Sequence, residues 1–412
     1  MNRRDLLFAL MAATLPFPAF AGQCTDAKAN AADIEWLIGQ IAARYAYLPD
    51  RHVDLDRMRA LYVAQAGNAC DPHVFLGVLE RCLAELHDHH VEAGVNNSAS
   101  PQLVPTGAEA WAAFHRGRAV IEAVRPGSGL MRAGARAGDE VVAIGGVPAA
   151  QAVAAHAPRA LAAHDPEADD YTLRVLLAGT HEARRVFTLR DAAGEKPIAL
   201  PPHRAEPSGP PLTLRRFDAI ACIRIENSLG DSALVPAFDR ALEQARDARG
   251  LILDLRNTPS GGNTDVAEPI LGRFVTGRPG YQRVFDPAPG KSFPKDGWTR
   301  WVRSRGETVT QPLVVLCGRW TGSMGEGMTI GFDGLKRATV VGTRMAGLCG
   351  ATQGFTLPGS GITVQFPVER LYHLDGTPRE KWTPPIPVDL AREAGDDPVL
   401  ARGLAVLHGK MG

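Results

Sequence analysis

Pro312-Leu-Val-Val-Leu-Cys317-Gly-Arg-Trp-Thr-Gly322-Ser323-Met-Gly-Glu326-Gly327 is the stretch from which the architecture can be read outward. Five apolar residues bounded by proline and glycine read as a buried strand. A polar, glycine-bearing turn follows, and Ser323 then opens a helix carrying Gly325, Gly327 and Gly331. A hydroxyl at a strand-to-helix turn stays accessible, with unpaired backbone N–H groups beside it. Those N–H groups and the helix N-terminus are what a developing oxyanion requires. Taken alone, the same pattern also fits a serine that merely caps its own helix.

Outward from this stretch, strands and helices alternate. Strands are expected at 219–225, 251–255 and 313–317, and helices at 233–248, 266–274 and 325–335. That alternation implies an α/β core with a largely parallel sheet over residues 213–408. The middle strand runs into Leu251-Ile-Leu-Asp254-Leu-Arg256-Asn257-Thr-Pro-Ser-Gly261-Gly262-Asn263. A core strand entering a Gly-Gly pair marks close backbone approach, either a tight turn or a donor of amides to a site. No GxGxxG or Walker pattern is present, so nucleotide binding has no support.

Upstream, Pro201, Pro202, Pro207, Pro210 and Pro211 make residues 196–212 an extended linker. Residues 105–195 form a small β-rich module, with strands expected at 119–121, 141–144, 171–177 and 185–189. Residues 22–98 read as helical. Asp71-Pro72 supplies an N-cap and a first-turn proline, and Val74, Phe75, Val78, Leu79, Cys82, Leu83 and Leu86 share one face. That helix delivers His87-Asp88-His89-His90 at its C-terminal end.

Arg3 and Arg4, the apolar run from Leu6 to Leu15 and Ala19-Phe20-Ala21 give residues 1–21 the form of an export signal. A periplasmic or secreted protein is therefore expected. Elsewhere no apolar run is long enough to span a bilayer. Basic and acidic residues balance at 45 each, without long like-charge runs, which excludes a nucleic-acid or anionic-membrane footprint. Polypeptides or small molecules remain as partners. The six cysteines contain no CxxC pair, so a zinc or redox motif is unsupported. Cys24 is a plausible disulfide partner for Cys70 or Cys82 after export. Cys222 and Cys317 sit in strand-like runs and read as buried thiols. Cys349, flanked by Gly347 and Gly350, has no cationic neighbour in sequence to lower its pKa.

The combination DLRNTPSGG, Ser323-Met-Gly-Glu326, Val341-Gly342-Thr-Arg-Met-Ala-Gly347 and Thr383-Pro-Pro-Ile-Pro-Val388-Asp389 resembles the carboxy-terminal-processing, or tail-specific, serine peptidases. The order of segments and a closing helix at Asp397-Pro398 match as well. The spacing VxPGSxxxxAGxxxGDxVxxIxG over residues 124–146 resembles a PDZ domain. The resemblance implies a crotonase- or ClpP-like α/β core, an N-terminal helical region and an inserted PDZ domain that binds polypeptide termini by strand addition or gates the site. It implies Ser323 as nucleophile, an oxyanion hole from Met324 with Gly261 or Gly262, and no metal or cofactor.

One departure bears on mechanism. Where relatives with a serine–lysine dyad carry the lysine, in a GKG turn, this chain has Leu348. Leucine accepts no proton, and Lys336 lies too far along the helix to substitute. The histidine-using, tricorn-like branch implies His90 of Asp88-His89-His90 as general base, with His89 the competitor, and Glu380 as the group that orients it. Glu326 reads as a capping residue. Other readings are a catalytically inactive peptide binder, a hydrophobic-ligand carrier like the retinoid-binding relatives and, more remotely, a crotonase-type acyl-CoA enzyme.

Overall fold

The computed structural model describes residues 27–203, 209–393 and 395–411, so the export signal expected at residues 1–21 and Cys24 lie outside the described residues. Helices α1 (Ala27–Arg44), α2 (Leu55–Gly67) and α3 (Pro72–Ala84) open the chain. Asp71 caps α3 by accepting from His73 N–H and Val74 N–H. Its expected face is buried from Phe75 to Leu86, apart from Val74, which is 56% exposed at the first turn. A short strand β1 (Glu92–Ala93) follows.

The β-rich module comprises β2 (Ala110–His115), β3 (Arg118–Val124), α4 (Gly129–Arg132), β4 (Glu140–Ile144), β5 (Val147–Pro148), α5 (Ala149–His156), α6 (Pro166–Ala178), β6 (Arg185–Asp191) and β7 (Gly194–Leu200). Its sheet order is β2-β3-β4-β6-β7, with β5 beside β4. The strand expected at 171–177 is helix instead. Asp165 caps it, Pro166 takes the first position, and Ala168, Thr172, Leu173 and Leu177 are buried at helical spacing. Strand propensity in Tyr171–Leu177 thus yields to the start signal upstream of it. Pairing of β7 with β6 takes up residues 196–200, so the proline-rich stretch is shorter than expected.

One side of β2 is already occupied. Asp170 on α6 accepts from Phe114 N–H at 2.7 Å, and Arg174 donates to the Ala112 carbonyl at 2.9 Å. These are neighbouring outward ladder groups, the pair an added strand would use.

The core contains β8 (Leu212–Phe217), β9 (Ile220–Ile225), α7 (Leu234–Gln244), β10 (Gly250–Asp254), α8 (Thr264–Leu271), β11 (Gly280–Phe285), β12 (Trp298–Trp301), β13 (Leu313–Cys317), α9 (Met324–Gly334), β14 (Thr339–Gly342), β15 (Ala351–Thr356), β16 (Thr363–Tyr372), β17 (Ile386–Pro387) and α10 (Pro398–Met411). Its main sheet runs β17-β14-β13-β10-β9-β8. All neighbours are parallel except β8 with β9. Strands β10 and β13 are buried at every position, as the unbroken apolar runs require of a sheet covered on both faces. Helices α7, α8 and α9 pack on one face and α10 on the other. A second, antiparallel sheet, β1-β16-β11-β12 with β15 on β16, had no counterpart in the sequence reading.

This second sheet docks the helical region. Phe355, Val364 and Phe366 share an apolar cluster with α1–α3. Asp33 on α1 accepts from Gly359 N–H and Ser360 N–H, each at 2.7 Å, and Ala46 N–H donates to the Pro367 carbonyl at 3.0 Å. No helix among the described residues is long and apolar enough to cross a membrane.

Candidate active site

Loops leaving the C-terminal ends of the adjacent parallel strands β10, β13 and β14 converge, the usual place for a site in an α/β sheet. Backbone bonds stitch them together. Thr258 N–H donates to the Trp320 carbonyl at 3.0 Å, Gly322 N–H to Thr258 at 3.1 Å, and Ala346 N–H to Thr321 at 3.1 Å. The hydroxyls of Thr258 and Thr321 both donate to the Leu255 carbonyl at 2.9 Å.

Ser323 stands half-buried at the N-cap of α9 with φ 48° and ψ −109°. A non-glycine residue in such a conformation costs on the order of 1–3 kcal/mol, so the surroundings must hold it there. Gly261 is part of that holding. It has φ +65°, and a Cβ there would lie 2.5 Å from Ser323 Cβ and 3.0 Å from its Oγ. Gly325 is equally constrained, since a Cβ would fall 2.3 Å from Thr258 Oγ1. The glycines of both motifs therefore let the two strand-end loops close on each other.

The three candidate oxyanion donors differ. Gly261 N–H donates to the Thr258 carbonyl at 3.1 Å and is spent on its own turn. The N–H groups of Met324 and of the exposed Gly262 have no protein acceptor among the described residues. Met324 N would lie 3.4 Å from a Cβ on Gly261, so this amide borders the same space as Ser323.

His90 reaches the region from the helical segment. Its backbone N–H donates to Asp88 Oδ1 at 2.9 Å, and Asp88 Oδ2 accepts from Tyr45 Oη at 2.8 Å, which fixes the turn. The ring Nδ1 lies 2.5 Å from the Cys349 carbonyl. A carbonyl only accepts, so Nδ1 carries the proton and Nε2 is left with its lone pair. Burial, and then the Arg379 guanidinium, push the imidazole down to about 4, so it is neutral at pH 7.

His89 points elsewhere. Its ring stacks on Tyr171 at 4.6 Å and meets Trp111 edge-on at 6.0 Å.

Arg379 ties the two catalytic candidates together. Its Nη1 donates to the Ser323 carbonyl at 3.2 Å, and its Nη2 to those of Leu348 and Gly350 at 2.9 and 2.8 Å. These last two flank Cys349, whose carbonyl holds His90.

Glu380 follows Arg379 on the same turn. Tyr47 Oη donates to Glu380 Oε2 at 3.4 Å, and burial raises the carboxyl's pKa. The Nδ1 contact expected of Glu380 is made by Cys349. Glu326 is fully buried and accepts from Ser323, Gly347 and Leu348 N–H. Burial pushes its carboxyl up to about 7, with Arg379 and the three amides pulling back.

Leu348 is buried with Trp111, Trp320 and Ala346 in an apolar cluster between the β-rich module and the core. Lys336 lies past the end of α9, 78% exposed and 3.7 Å from Asp333. Cys349 does have a cationic neighbour, contrary to expectation. Arg51 Nη2 donates to its Sγ at 3.1 Å, although burial still raises the thiol's pKa. Sequence neighbours could not reveal a guanidinium arriving from the helical region. Arg379 was equally unassigned, and its only signal was its place beside Glu380.

Residues 219–388 match the model of peptidase family S41. No curated protein sequence matches the chain. Among solved structures, the photosystem II D1 C-terminal processing protease is similar with a TM-score of 0.58 at 17% identity, over 92% of this chain and 96% of that one. Mature CPAF is similar with a TM-score of 0.58 at 14% identity, over 93% of this chain and 97% of that one.

Proposed function

From the premise that this chain belongs with the S41 peptidases, hydrolases that act on polypeptides, we propose that it is an exported serine endopeptidase using Ser323 and His90. The observation that carries this reading is the Nδ1 contact of His90 with the Cys349 carbonyl, because it leaves Nε2 free as a base and seats the ring on the segment that Arg379 joins to Ser323.

In this mechanism His90 Nε2 takes the Ser323 proton as Oγ attacks the peptide carbonyl, then returns it to the leaving amine. Water repeats the sequence to release the acyl group. Met324 and Gly262 N–H receive the oxyanion. The Cys349 carbonyl orients the imidazole as the third member of a triad would, while Glu380, one residue from Arg379, accepts from Tyr47 Oη. Successive addition of β9, β10, β13, β14 and β17 across one sheet supports the crotonase-like description of the core.

We assign residues 105–195 as a PDZ-like module that braces the elbow. Trp320 Nε1 donates to the Ala108 carbonyl at 2.9 Å, Arg319 pairs with Glu122, and Arg125 donates to Asn257 at 3.1 Å. The occupied side of β2 supports bracing over an open peptide groove. Export, and a periplasmic or secreted location, rest on the sequence of residues 1–21.

A fluorophosphonate probe should label Ser323 in the folded chain and fail to label Ser323→Ala, read by intact mass. An unlabelled wild type that melts cooperatively would favour the binding-only reading that Leu348 invites. Co-purified ligand in native mass spectra would favour a carrier.

A further inference from the structure

Two charged side chains lie almost wholly out of solvent between the nucleophile's elbow and the 347–350 segment. Glu326 is 0% exposed and Arg379 is 2% exposed. Their closest approach, Arg379 Nη2 to Glu326 Oε2, is 3.9 Å. Each uses its polar atoms mainly on main chain. Glu326 Oε2 accepts from Ser323 N–H at 2.9 Å and Leu348 N–H at 3.2 Å, and Oε1 from Gly347 N–H at 2.8 Å. Arg379 donates to the carbonyls of Ser323, Leu348 and Gly350.

The two sets complement each other. Ser323 and Leu348 are each gripped at both main-chain ends, N–H by the carboxylate and C=O by the guanidinium. A buried ion pair adds little net stability compared with apolar packing of the same volume. Its use here falls on the two segments whose relative placement decides whether an imidazole can reach a hydroxyl, and a displacement of about 1 Å there is enough to cost about 100-fold in rate.

We propose that Glu326 and Arg379 are paired positioning residues that lock the Ser323 elbow to the segment orienting His90. This rests on the Ser323–His90 reading above. Neither residue touches the reacting atoms, since both act through the main chain.

The test is the rate of fluorophosphonate labelling of Ser323 in the mature chain as a function of pH, for wild type, Arg379→Lys, Arg379→Gln and Glu326→Gln, each checked by thermal melting. The charged groups facing His90 are Arg379 and Asp88. Arg379→Lys keeps the charge and loses the fork that reaches three carbonyls. Its labelling should slow about 100-fold with the acid limb unmoved. Arg379→Gln should slow at least as much, and its acid limb should move up by roughly one pH unit as the like charge beside the imidazole disappears. Glu326→Gln should slow labelling without an upward shift. A slow rate with an unshifted limb in Arg379→Gln would reduce the pair to a structural role. Labelling within threefold of wild type in Arg379→Lys and Glu326→Gln would overturn the proposal, whether or not Arg379→Gln folds. Failure of the wild type to label sinks the peptidase reading itself, and this proposal with it.

Discussion

The elbow at 317–326 and the segment at 345–350 meet in one site, yet they are built by opposite means. The elbow is local. A buried strand ends, a turn follows, and α9 begins at Ser323, with each step written in consecutive residues. The 345–350 segment has no helix or strand of its own. Its shape is held by His90, Arg51, Glu326 and Arg379, groups spread across most of the chain. The lesson is that the setting of Ser323 is specified by neighbours in sequence, while that of His90 requires the tertiary fold.

Substitutions can break this contrast in graded ways. The largest effect is expected from His90→Ala, with peptidase activity or probe labelling reduced about 1,000-fold or more, because the proposed general base is lost. His89→Ala, which empties a stacked position against Tyr171, should lower the melting temperature and leave labelling within a few fold. If the two variants exchange these outcomes, the base has been misassigned.

Leu348→Lys addresses the departure from the lysine-bearing relatives. Leu348 is 4% exposed among tryptophans and alanines, so a buried ammonium there should cost roughly 3 kcal/mol or more of stability. Thermal melting would show the loss, and labelling of the His90→Ala, Leu348→Lys double variant would show no rescue. Rescue would mean that the segment still accommodates a lysine base.

On the elbow side, Gly261→Ala should reduce turnover about 100-fold, because the added methyl would sit 2.5 Å from Ser323 Cβ. Unchanged activity would show that the two strand-end loops are not held in contact during catalysis.

The smallest effect concerns pH. His90 has a folded-state pKa pushed down to about 4, below the usual histidine value, so the unfolded chain binds more protons between the two. Its contribution to stability is present above about 6.5 and is lost as pH falls through about 4. The same protonation removes the base, so the acid limb of the labelling rate should lie near 4. Glu326, pushed up to about 7, titrates above that limb, so a limb near 6.5 that persists in Glu326→Gln would place His90 in a more solvated setting.

These contrasts explain what the sequence made legible. The parallel core strands, the Ser323 elbow, the Gly261-Gly262 turn and the face of α3 follow from runs, caps and glycines that act over a few residues. The same local logic failed at Tyr171–Leu177, where β-propensity in seven residues was outweighed by Asp165-Pro166 before them. The antiparallel sheet of β1, β11, β12, β15 and β16 was missed because its pairings join residues far apart, such as Glu92 with Gln365. The orienting carbonyl of Cys349 was beyond reach for a different reason. A main-chain oxygen has no residue type to announce it.

Arg379 follows Ser323 by 56 residues, and His90 precedes Cys349 by 259. A polypeptide emerging from the ribosome therefore carries Ser323 for some time without the guanidinium that seats it. With the proposed Ser323–His90 chemistry, the nascent protein reacts at most slowly until Arg379 has been made and has docked. Chain order would then limit self-cleavage during biogenesis.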